Sequence, residues 1–164
     1  MKDRIICESI ESLRQEGLRF SVDTLAKRLN ISKKTIYKYF PTKEALAFAL
    51  YQRYYADIKA QADKLASENS AAAHSKLLSI YFDAVSMTSC DIFNKYKLNE
   101  TLFAYTAEQN DNLSEMIFLS LGDSISEHDK KSVRIIINGS FEKLCHEKTA
   151  PDGVIEMLVN MLWR

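Results

Sequence analysis

The stretch Phe20–Leu50, FSVDTLAKRLNISKKTIYKYFPTKEALAFAL, alternates helix starts and helix stops at close spacing. Ser21 is a residue type that caps helix N-termini, and Val22, Leu25, Ala26 and Leu29 share one face of the helix it would start. Asn30 tolerates left-handed backbone and suits the end of that helix. Ser32 caps a second helix, which turns Ile36 and Phe40 inward. Pro41 stops it, because proline lacks an N–H and disfavours helical geometry at the preceding residue. Thr42 then caps a third helix, with Glu44 in the first turn, where the helix dipole favours negative charge. Leu46, Ala49 and Leu50 begin its apolar face.

A helix, a tight turn and a second helix of about nine residues make the layout of a helix-turn-helix, whose second helix enters the major groove of DNA. The helical wheel assigns that helix an outer face. With Ile36 and Phe40 inward, Lys34 and Lys38 point away, flanked by Thr35 and Tyr37. Lysines neutralise phosphates and release counterions. Threonine can donate to phosphates or base edges, and tyrosine hydroxyls can bond phosphates. Lys33 falls in the first turn, near free backbone N–H groups that suit a phosphate. Lys43, just past Pro41, is placed to hold the backbone from the other side.

The charge distribution agrees. Net charge is zero, yet residues 1–50 hold ten basic and six acidic residues, a surplus of four positive charges that the remainder reverses. Thr24–Lys43 holds six basic residues and no acid, which points to a polyanionic partner for this part of the chain.

On these residues the stretch resembles the helix-turn-helix signature of TetR-family transcriptional regulators over about residues 4–52. The resemblance implies an all-α homodimer of about nine helices, three of them in the DNA-binding domain. That places the DNA-binding domain in residues 1–45 and a helical ligand-binding and dimerisation domain in residues 46–164. It implies DNA contact by the reading helix Ser32–Phe40, with Thr35, Tyr37, Lys38 and Tyr39 on positions that touch base or backbone and Lys43 on a phosphate-clamping position. Ser32, Lys33 and Lys34 complete the candidate interface. Asn30 stands where the family often has glycine, and asparagine tolerates the same backbone.

Beyond residue 50 the chain predicts helices only. The first runs on to about Ser67, and SENSAAAH marks a break. Helices are expected over about 74–87, 91–97, 99–109, 111–121, 127–148 and 152–163, with Gly122 and the TAPDG turn as stops. Gly17 similarly ends the opening helix, 2–16. The last helix is apolar over most of its circumference: between Val154 and Trp163 only Glu156 and Asn160 form a polar stripe. Such a helix is covered on two sides. The preceding helix carries Val133, Ile136, Ile137, Phe141 and Leu144, with Gly139 and Ser140 permitting close approach. These two helices suit either a single-chain core or a four-helix homodimer interface through 127–148 and 152–163. The resemblance favours the dimer, which would read a near-palindromic operator in double-stranded DNA.

The aromatic middle is either core or the lining of a small-molecule effector pocket. Tyr81, Tyr96, Phe103 and Tyr105 are the ligand-binding candidates, with Asn99 and Thr106 as nearby polar groups. Cys7, Cys90 and Cys145 lack metal-ligand spacing and read as reduced, mostly buried thiols of a cytoplasmic protein. No catalytic residue set, metal site, cofactor motif, signal peptide or membrane-spanning segment is expected. The reading is a regulator rather than an enzyme, most simply a dimeric repressor relieved by an effector. A helical protein-interaction adaptor without an effector pocket is the alternative.

Overall fold

A computed structural model describes residues 1–16, 21–68, 70–88, 100–121 and 125–163. Among the described residues there are eight helices and no strand: α1 Lys2–Glu16, α2 Val22–Leu29, α3 Lys33–Tyr39, α4 Lys43–Ala66, α5 Ala71–Met87, α6 Glu100–Ser120, α7 Glu127–Glu147 and α8 Asp152–Leu162. The fold is all-α, as the sparse turn residues predict.

Packing divides the described residues into two units: those within 1–57 and 100–106, and those within 58–88 and 107–163. Helices α4 and α6 contribute residues to both.

The first unit is built on one apolar cluster. Ile5 and Ile6 of α1, Val22, Leu25, Ala26 and Leu29 of α2, Ile36 and Phe40 from α3 and its end, and Leu46 of α4 are buried together. The spacing of these residues is what makes each helix form here, because each buries one apolar stripe against the others. A second aromatic group lies along α4. Tyr105 packs against Phe48 and Tyr55, with ring centroids 5.2 and 6.0 Å apart. The Tyr55 hydroxyl donates to the Thr106 carbonyl at 3.3 Å.

In the second unit, α5 packs against both α7 and α8. Tyr81 and Phe82 of α5 meet Phe141 of α7. At the other end of α5, buried His74 stacks on Trp163 at 4.4 Å between centroids, and the Trp163 indole N–H donates to the Ser120 carbonyl at 3.2 Å. No helix among the described residues is long and apolar enough to cross a membrane.

Several expectations need correction. Segments 99–109 and 111–121 are one continuous helix, α6. Asn110, Asp111 and Asn112 have turn composition. However, the Asn110 amide donates to Thr88 Oγ1 at 2.9 Å, and Leu113, Ser114 and Ile117 are buried just beyond, so tertiary contacts override local preference. Helix α5 starts at Ala71 rather than about 74, because Ser70 Oγ accepts from the Ala73 N–H and three alanines extend the helix toward that cap. Cys7 is exposed and Cys145 only half-buried, since α1 buries Ile5, Ile6, Ser9, Ser12 and Leu13 and turns Cys7 off that face. The expected helix 91–97, Cys90, and the stops at Gly17 and Gly122 lie outside the described residues.

Candidate nucleic-acid interface

Helix α3 is held from both ends and one side. The Ser32 hydroxyl accepts from the Thr35 N–H at 3.1 Å and also bonds the Thr35 hydroxyl at 3.0 Å. Its preceding turn closes α2 with a left-handed Asn30, φ 53° and ψ 47°. There the Asn30 N–H donates to the Lys27 carbonyl and the Ile31 N–H to the Ala26 carbonyl, at 3.1 and 3.0 Å. This pair of bonds is a Schellman closure, and it fixes the direction in which the chain enters α3. On the far side, Pro41 is followed by Thr42, whose hydroxyl accepts from the Ala45 N–H at 3.1 Å. The backbone N–H of Glu44 and the Thr42 hydroxyl donate to the Glu44 carboxylate and hold its pKa below the usual range.

Between these fixed ends, Ile36 and Phe40 are fully buried and act as the anchors. The opposite face is open. Lys34, Lys38 and Lys43 are exposed, and none of them forms an ion pair among the described residues. Tyr37 and Tyr39 are 38% and 40% exposed, unusual for large aromatic rings. Thr35 is half-buried, its hydroxyl engaged by Ser32. Ser32 itself is exposed. The wheel therefore separates anchors from presented groups as expected.

Lys33, in the first turn of α3, is engaged by an acid. Its ammonium pairs with Asp23 of α2 at 2.5 Å, and the hydrogen bond and charge of Asp23 raise its pKa. The N–H of Thr35 in the same turn is already taken by Ser32. Arg28 is likewise turned inward, donating to Gln15 at 3.0 Å and Glu8 at 3.4 Å, so it ties α2 to α1. Sequence reasoning missed Asp23, which lies one residue before the acid-free stretch. Its partner is on another helix, so no helical spacing signals the pair.

The described ligand-binding candidates fall in two different units. Tyr81 is buried in the second unit, where burial raises its pKa and its hydroxyl donates to Asn138 Oδ1 at 2.7 Å. Phe103 and Tyr105 belong to the first unit; Phe103 is more than half exposed, and Tyr105 packs on Phe48 and Tyr55. Tyr96 and Asn99 lie outside the described residues.

Two helices joined by a Schellman turn, the second anchored by two apolar residues and open on its basic face, define a helix-turn-helix domain. Residues 5–50 match the family described as bacterial regulatory proteins, tetR family. The match covers the helix-turn-helix part of the chain. Over 59 residues the chain is 34% identical to an uncharacterized HTH-type transcriptional regulator, YvaF, of Bacillus subtilis strain 168. That alignment covers 36% of this chain and 31% of the relative, less than a third of the relative's length. The whole fold is similar to the crystal structure of a transcriptional regulator of the TetR/AcrR family from Thermobifida fusca YX-ER1. The TM-score is 0.63 over 99% of this chain and 96% of that one, at 18% identity.

Proposed function

We propose that this chain is a sequence-specific DNA-binding transcriptional regulator that acts as a homodimer, most simply as a cytoplasmic repressor relieved by a small-molecule effector. The observation that carries the DNA-binding reading is the outer face of α3. Lys34 and Lys38 form no ion pair among the described residues and stand beside two exposed tyrosines on a helix whose other side is locked into the core. The lysines supply sequence-independent attraction to phosphates, and Thr35, Tyr37 and Tyr39 supply shorter-range contacts that depend on fit. Ser32 and Lys43 would hold the backbone at the two ends of that contact.

The dimer reading rests on the second unit. Helix α7 turns Ile137, Phe141 and Leu144 into its own core but leaves Ile135 and Ile136 65% and 51% exposed. Helix α8 buries Ile155, Leu158 and Val159 and leaves Met157 and Met161 55% and 58% exposed. Two large apolar side chains left in water on each of these helices make an unfinished surface. A second copy covering it would place two reading helices for the half-sites of a near-palindrome, about one DNA turn apart. An effector that favours a dimer with a different separation would then release the operator.

Binding of the protein to the DNA upstream of its own gene, followed by fluorescence anisotropy at several salt concentrations, tests the function. Tighter binding than to scrambled DNA of equal length is expected; equal binding to both contradicts sequence-specific regulation. Light scattering at micromolar concentration tests the dimer. A monomer there would favour the adaptor alternative.

A further inference from the structure

The six cations between Thr24 and Lys43 are not equivalent in the fold. Lys27, Lys34, Lys38 and Lys43 form no ion pair among the described residues, and Arg28 is turned back to α1. Lys33 is the one cation of α3 that is matched to a carboxylate, and that carboxylate comes from α2. Asp23 and Lys33 face each other across a cleft between the two helices that Lys27, Asn30 and Ser32 also line. Asp23 has its own reason to be there, since it occupies the first turn of α2, where the dipole favours an acid. Both partners remain more than half exposed, so the pair is weak and exchangeable rather than structural.

We infer that Asp23 is an internal competitor for DNA phosphate at Lys33, a residue that keeps sequence-independent binding low. The inference rests on the DNA-binding reading above. A phosphate that approaches the start of α3 meets a lysine whose charge is already matched. To use Lys33 it must displace a carboxylate and leave that carboxylate facing the polyanion. Every DNA sequence meets this cost equally, so it lowers the electrostatic part of all binding and leaves the ratio between sequences unchanged. A larger share of the total must then come from the outer face, where Lys34, Thr35, Tyr37 and Lys38 stand. The hydrogen bond and charge of Asp23 also raise the pKa of Lys33.

The test is a double-mutant cycle with Asp23→Asn, Lys33→Gln and the double variant, each compared with the parent by anisotropy on a short duplex of scrambled sequence. Melting curves establish that all four proteins fold. Freeing Lys33 in Asp23→Asn should steepen the log–log salt slope by about 0.9, a roughly 3.5-fold larger loss of affinity between 50 and 200 mM salt. Lys33→Gln should change the slope little on its own and should abolish the gain in the Asp23→Asn background. An Asp23→Asn slope equal to the parent's overturns the inference, as does Lys33→Gln flattening the slope equally in both backgrounds. If the parent protein binds no DNA at any salt concentration, the DNA-binding reading itself fails and takes this inference with it.

Discussion

At the scale of single residues, the same side-chain type does different work according to its backbone position. Lys38 and Lys33 lie on one short helix, yet one is open to solvent and the other is matched by Asp23. Lys38→Ala should therefore weaken binding to all DNA and flatten the salt slope by about 0.9, the signature of one lost phosphate contact. Anisotropy across a salt series checks it; an unchanged slope would remove Lys38 from the interface. Lys148 shows the opposite relation of residue to site. It closes α7 in the left-handed region, φ 54° and ψ 38°, with its N–H donating to Cys145 and that of Thr149 to Leu144. A lysine is strained there and glycine is not. Lys148→Gly should stabilise the fold by about 0.5–1 kcal/mol in urea unfolding, because relief of strain exceeds the added chain entropy.

At the scale of elements, the two units make distinct predictions. His74 of α5 is buried against Trp163, its Nδ1 has no hydrogen-bond partner among the described residues, and burial lowers its pKa from the ordinary 6.5. The unfolded chain thus takes up this proton before the folded one does. Stability should be intact above pH 6.5 and fall as pH drops through the lowered folded value, then level off with respect to this group. Urea midpoints against pH should show the decline, and His74→Phe should lessen it. Gly139 of α7 offers a cleaner test of the apolar surface. A Cβ built there meets nothing within 4 Å, and glycine costs about 1 kcal/mol relative to alanine inside a helix. Gly139→Leu should therefore leave the single chain folded, or stabilise it, while breaking a dimer that needs close approach at this point. Sedimentation and melting measured together check both halves.

Most elements were legible in the sequence, and the reasons differ. Ser21, Ser32, Thr42 and Asn30 act locally, so residue type alone announces the caps and the turn. Ile36 and Phe40 could be read as anchors because helix period converts spacing directly into facing. What could not be read depended on contacts between helices. Asn110 sits within a helix because Thr88 receives its amide, and Lys33 is matched because α2 brings Asp23 to it. The aromatic candidates illustrate the same limit. Tyr81, Phe103 and Tyr105 have similar local context, but the fold buries the first, exposes the second and stacks the third.

At the scale of the whole molecule, the zero net charge conceals a division of labour. The surplus of positive charge lies in the first 50 residues and the compensating negative charge in the rest. Such a split would attract a polyanion to one part of the chain and repel it from the other, and so orient an encounter with DNA. On the reading proposed above, sequence preference would come from α3 and symmetry from the pairing of two second units. The most direct test is selection of bound duplexes from a random-sequence pool by the parent protein and by Lys34→Ala/Tyr37→Ala. The parent should enrich one near-palindrome with half-sites about one helical turn apart, and the variant should lose that enrichment while remaining folded. Failure of the parent to enrich any sequence, or equal enrichment by the variant, would contradict the claim that this face of α3 reads DNA.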